Sequence, residues 1–176
     1  MMIIIHTETD EDSRRLGIIY SNLPNIIILK NESRNTIHKV LEQTQSNEVI
    51  MFLGHGDKNG LGGSIEEYSI NIESVKYLRN KIMIGIWCYA FEFAKLYGLH
   101  GFFTNMFITN QSEAFDLGYR NQTQADIYRE LDLFCGSLKS MLSDNIELSK
   151  WPRILKSSCN KEVPFVRYNY NNITYI

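Results

Sequence analysis

Two residues of this chain together offer the side chains needed to make and break an acyl bond at neutral pH. His55 lies in "GHGDKNGLGG" (54–63), and Cys88 lies in "KIMIGIWCYA" (81–90). An imidazole with a pKa of about 6.5 can take a proton from a thiol and return it to a leaving amine. A cysteine so assisted is a nucleophile for acyl transfer. Taken singly, His55 fits a loop histidine and Cys88 a small buried hydrophobe. Together, each directly beyond an apolar run and 33 residues apart, they point to a Cys–His dyad. Gly56 lets the backbone come close to a substrate. Its N–H and that of Cys88 are candidates for an oxyanion hole. A helix beginning at Cys88 would favour the thiolate.

The runs that must position these residues are short and continuously apolar: "MIIIH" (2–6), "NIIILK" (25–30), "EVIMFLG" (48–54), "IMIGIW" (82–87) and "GFFTNMFIT" (101–109). Unbroken apolar runs of this length suit strands buried on both faces of a parallel sheet. Helical patterns separate them. "DEDSRRLGIIYSNL" offers Asp10 or Asp12 as an N-cap, and "ESRNTIHKVLEQTQ" repeats Ile37, Val40 and Leu41 at helical spacing. "NIESVKYLRN" has Asn71 as a cap with Ile72, Val75 and Leu78 on one face, and "FEFAKLYGL" also has a helical pattern. Strand–helix alternation predicts an α/β fold: a three-layer α/β/α sandwich with a mostly parallel central sheet of about six strands, in one domain spanning 1–176. In such sheets, sites form outside the carboxyl ends of the strands. The runs that precede His55 and Cys88 would then be neighbours.

Further along, "QADIYRELDLFCGSLKSML" (124–142) places Ile127, Leu131, Phe134, Cys135, Leu138 and Leu142 on one helical face, with Cys135 as core filler. "WPRILKSSCNKE" (151–162) has a loop composition. "VPFVRYNYNNITYI" (163–176) is rich in β-branched and aromatic residues and suggests a strand or hairpin.

Composition bounds the function. The 176 residues are 44% hydrophobic and 22% charged, enough for a core, with 18 basic and 20 acidic residues for a net charge of −2. That balance implies no nucleic-acid partner, and no apolar run approaches a membrane span, so no membrane partner either. Three irregularly spaced cysteines, 88, 135 and 159, make neither a disulfide framework nor a zinc motif. With no basic, apolar leader, the expected location is cytoplasmic.

Strand–His–Gly followed by strand–Cys resembles the cysteine peptidases of the caspase-haemoglobinase fold, the clan of caspases, metacaspases, gingipains, clostripain and bacterial CHAT-type proteases. "FLGHGDKNGL" (52–61) and "IMIGIWCYA" (82–90) carry the resemblance, and "GFFTNMFITNQSEA" (101–114) is similar to small bacterial members. The resemblance implies that Cys88 is the nucleophile, His55 the general acid/base, and the Gly56 and Cys88 N–H groups the oxyanion donors. It implies a backbone carbonyl, rather than a third side chain, to orient His55. It calls for a protein or peptide substrate and no metal or organic cofactor. An activating protein partner would suit so short a chain.

Two features depart from caspases. Ile86-Trp87 stand where those enzymes have Gln-Ala, and the His–Cys gap is shorter than their roughly 50 residues. The P1 preference is therefore open. Trp87 and Tyr89 are candidates to line a substrate pocket or to pack in the core. Asp57, Glu92, Glu113 and Asp116 are acids near the expected site, with Asp57 the one taken as substrate-binding. His6 ends the first strand and suits a structural role. His38 and His100 have none assigned. Two alternatives stand beside the enzyme: a non-catalytic interaction module keeping the fold, and a nucleotide-binding α/β module. For the latter, the glycines of 54–63 match neither phosphate-loop spacing.

Overall fold

The computed structural model describes residues 1–46 and 48–176. The chain runs β1 (Met2–His6), α1 (Glu11–Arg15), β2 (Ile26–Lys30), α2 (Arg34–Gln43), β3 (Val49–Leu53), β4 (Gly56–Asp57), β5 (Gly60–Gly62) and β6 (Tyr68–Ile70). It continues through α3 (Val75–Leu78), β7 (Ile82–Ile86), α4 (Ala90–Tyr97), β8 (His100–Thr104), α5 (Gln111–Asp116), α6 (Gln124–Ser143), α7 (Trp151–Ser158), α8 (Pro164–Asn171) and β9 (Ile173–Tyr175).

The fold is α/β, with a six-stranded sheet in the order β2-β1-β3-β7-β8-β9, parallel except for β9. A small antiparallel sheet, β4-β5-β6, follows β3. The five apolar runs become β1, β2, β3, β7 and β8, and β3 lies beside β7 as expected. Side chains alternate between two packed clusters. Ile4, Met51, Leu53, Ile84 and Phe102 join residues of α6, α7 and α8. Ile3, Ile5, Ile50, Phe52, Met83 and Phe103 join residues of α2, α3 and α4. Helix α6 buries Ile127, Leu131, Phe134, Cys135 and Leu138, each large apolar side chain adding about 1.5–3 kcal/mol. Cys135 is core filler, as its place on the apolar face predicts. Leu142 is only partly buried.

Four expectations need correction. Residues 151–158 form α7 rather than a loop, and 164–171 form α8 rather than a strand or hairpin, so only 173–175 are β. Both helices have proline in their first turn, where a missing N–H costs nothing. Strand β8 stops at Thr104: Asn105 still donates its N–H to the Asn172 carbonyl at 2.7 Å in the register of β9, but the Asn172 N–H turns back to the Tyr168 and Asn169 carbonyls of α8 and returns no bond. Ile72 is 62% exposed, because residues 72–74 take a 3-10 turn capped by Asn71 and only Val75 and Leu78 turn inward.

Candidate active site at the carboxyl ends of the strands

The register Leu53↔Ile86 ends β3 and β7 level with each other, and both chains then turn into one cavity. Its volume is about 20 Å³, room for a single water. His55, Trp87, Cys88, Asp12, Thr104 and Phe107 are among its walls.

Gly54 is required where β3 ends: it has φ +146°, and a Cβ there would lie 2.2 Å from Thr7 Oγ1. The chain then folds back as a hairpin. Gly62 donates its N–H to the His55 carbonyl at 2.8 Å, and Gly56 faces Leu61 across the ladder. Between two such bonded pairs, the Gly56 N–H points off the ladder. A Cβ on Gly56 would lie 2.4 Å from both Trp87 Cδ1 and the Gly60 carbonyl. The Trp87 ring is buried edge-on to Phe52 and Phe93, and its Nε1–H donates to the Asp57 carbonyl at 3.1 Å. Trp87 thus ties the hairpin to the cysteine strand, so it is both core and cavity wall. The glycine-rich stretch opens no helix behind it, unlike a phosphate-binding loop.

Cys88 sits on a tight turn in which Ala90 donates its N–H to the Trp87 carbonyl at 3.2 Å. Tyr89, at the third position of that turn, has φ 68°, a left-handed conformation that is strained for a bulky residue. Its side chain is 41% exposed. Helix α4 begins at Ala90 with Tyr89 as its cap, so Cys88 precedes the helix rather than opening it. The thiol is not lowered toward a thiolate. Burial, and then the facing Glu113 carboxylate, push it up to about 12. Its S–H donates to the Phe107 carbonyl at 3.5 Å. Among the described residues, Cys88 and His55 share this cavity wall without a hydrogen bond between them.

His55 Nε2–H donates to Asp10 Oδ2 at 2.8 Å, leaving Nδ1 as the basic nitrogen of the neutral ring. Asp10 also caps α1, with Oδ1 accepting from the Ser13 N–H at 2.9 Å and the Ser13 hydroxyl at 2.7 Å. Partial burial works to raise this carboxyl. The Ser13 hydrogen bonds and the adjacent His55 outweigh it and hold Asp10 below the usual range. Ser13 in turn accepts at its carbonyl from His6 Nε2–H at 2.8 Å, and His6 Nδ1 accepts from the Tyr20 hydroxyl at 2.8 Å. A line of hydrogen bonds therefore runs from the buried end of β1 to His55.

The expected backbone carbonyl behind His55 is thus replaced by the Asp10 carboxylate, a residue whose sequence position marks it only as a helix cap. No spacing rule links it to a histidine 45 residues away. Asp10, Asp12 and His55 also bring ligating atoms within 4.8 Å of one another. Asp12, however, accepts from the Tyr128 hydroxyl at 2.8 Å and Asn110 Nδ2 at 2.9 Å, and Asp10 is engaged as described. The grouping is thus held by internal donors. Asp57 is occupied within its own hairpin, by the Asn59 N–H at 2.6 Å and the Tyr68 hydroxyl at 2.9 Å. Glu113 takes the Thr109 N–H at 2.7 Å.

No family model, curated protein or solved structure matches this chain. Among the described residues, no helix is long and apolar enough to cross a membrane.

Proposed function

We propose that the protein is a cysteine peptidase of caspase-like architecture, its two apolar clusters being the interfaces of a three-layer sandwich. The observation that carries this reading is the placement of His55 and Cys88 at the level ends of adjacent parallel strands, in one cavity wall. Asp10 on the far ring nitrogen of His55 supports it. In this reading Nδ1 of His55 takes the Cys88 proton and the thiolate adds to a peptide carbonyl. The Gly56 and Cys88 N–H groups receive the oxyanion, and the imidazolium then protonates the departing amine. Water, deprotonated by His55, cleaves the thioester and returns the thiol. Asp10 holds the ring in the tautomer this needs and stabilises the imidazolium. Trp87 and Tyr89 flank the substrate. Asp57, committed to its hairpin, contributes through the position of that hairpin.

In this reading the cavity, with room for one water, and the thiol turned to a carbonyl belong to the resting form of a cytoplasmic protease that a protein partner switches on. The same resting thiol favours a second reading, a non-catalytic interaction module on this fold.

Digestion of a peptide mixture, with new N-termini read by mass spectrometry, tests the choice. Cleavage by the wild type that is lost in both Cys88→Ala and His55→Ala supports the peptidase. Cleavage surviving both substitutions overturns it, and a wild type that stays inactive both alone and with cell extract added as a source of the partner leaves the interaction module.

A further inference from the structure

The Phe107 carbonyl that accepts the Cys88 S–H belongs to the same planar peptide unit as the Ile108 N–H. That N–H is gripped from the opposite side by Asn169 Oδ1 at 2.7 Å, while Asn169 Nδ2 donates back to the Ile108 carbonyl at 2.9 Å. Asn169 is 5% exposed and sits within α8. Both halves of its side-chain amide are therefore spent on one residue of the loop under the thiol. In a trans peptide, the N–H and C=O point in opposite directions, so fixing the Ile108 N–H fixes where the Phe107 oxygen points. The Phe107 ring is anchored separately, 4.6 Å between centroids from Phe134 of α6.

We infer that Asn169 is a positioning residue for the proposed reaction: it holds Cys88 in its resting state by fixing the 107–108 peptide plane. The inference rests on reading Cys88 as the nucleophile. A thiolate could not stay at this carbonyl, because it would meet the negative end of the C=O dipole. Glu113 from α5 and Tyr168 from α8 also face the thiol, beside Tyr89 of its own turn, and Asp12 and His55 lie across the cavity. Of these, the His55 imidazole is the base to which the proposed reaction sends the proton. Activation then means turning the 107–108 plane, or swinging Sγ off it toward His55. At the start of this loop Asn105 Oδ1 is buried without a donor among the described residues, an acceptor that a turned plane could satisfy.

The test is the rate of Cys88 alkylation by iodoacetamide, read against Cys159 in the same molecule, together with hydrogen exchange across 105–110. Asn169→Leu keeps the volume and removes both bonds. It should raise the Cys88 rate at pH 8 at least about tenfold, the effect of lowering a thiol pKa by one unit, and speed exchange at Ile108. Asn169→Asp keeps the acceptor for the Ile108 N–H and should return the rate toward the wild type. Gln124→Leu removes the bond from Gln124 Nε2 to the Thr109 carbonyl but leaves the plane gripped and the cavity wall intact, and should change little.

The wild type supplies a readout that no folding failure can spoil. In sub-denaturing urea, Cys88 labelling and Ile108 exchange should share one denaturant dependence. Different dependences overturn the inference. So does faster exchange without faster labelling in Asn169→Leu, equal acceleration by Gln124→Leu, or an equal rise at all three cysteines. Adding His55→Ala to Asn169→Leu separates the two ideas. Acceleration that persists keeps the clamp and sinks the catalytic dyad, whereas acceleration that is lost supports both.

Discussion

His55 and Asp10 are joined by a 2.8 Å hydrogen bond across 45 residues of chain, and the same carboxylate caps the helix that follows β1. One side chain thus has two duties that substitution can separate. Asparagine caps as well as aspartate, so Asp10→Asn should leave stability within about 0.5 kcal/mol. It should lower His55-dependent peptide hydrolysis by a factor on the order of 10²–10⁴, because an amide no longer fixes the ring tautomer or stabilises the imidazolium. Ser13→Ala damages the cap without touching His55. An equal loss of hydrolysis in Ser13→Ala would mean that Asp10 matters only as a cap.

His6 gives the fold an acid limit. Burial lowers its pKa below 6.5 despite the Ser13 carbonyl and Glu8, which favour the charged ring; Lys30 adds to the lowering. The folded state then binds fewer protons than the unfolded chain. Stability from this residue is full above about pH 6.5 and is lost as the pH falls from there toward the folded pKa. Urea denaturation at pH 7.5 and 5.5 should show a drop in the wild type. In His6→Gln, which retains a donor for the Ser13 carbonyl, the drop should be smaller.

Two glycines should respond oppositely to the same change. Gly56→Ala puts a methyl 2.4 Å from Trp87 and a backbone oxygen and should cost about 1–3 kcal/mol. Gly136→Ala, in α6 with no atom within 4 Å of the new methyl, should add about 0.5–1 kcal/mol. Chemical denaturation of both variants checks the pair.

Trp87→Phe keeps an aromatic ring between Phe52 and Phe93 but deletes the bond to the Asp57 carbonyl. It should cost about 1 kcal/mol or somewhat more. Faster exchange should be confined to the hairpin of β4 and β5. Exchange that instead rises throughout the central sheet would show that the ring acts mainly as core.

The strands were legible because continuous apolar runs bounded by caps admit few other conformations, and their order brought His55 and Cys88 to one end of the sheet. Residues 151–162 read as a loop because proline, serine, asparagine and charged residues crowd there, and 163–171 read as β because their aromatic and β-branched residues favour strands, whereas Trp151, Leu155, Phe165, Val166 and Tyr170 pack helically into the core. The prolines at the starts of α7 and α8 were the available signal. The partner of His55 and the state of the thiol were hidden for another reason. Each depends on tertiary contacts, Asp10 across β1 and Phe107 beneath Cys88, which no local pattern encodes.

The clamp on the 107–108 peptide also has a place in time. Asn169 lies 61 residues beyond Ile108, so at 5–20 residues per second it is synthesised about 3–12 s later. During that interval the nascent loop exists without the side chain that fixes it. The quiet thiol of the finished protein is therefore a late acquisition of the growing chain, complete only after both catalytic candidates have already been made.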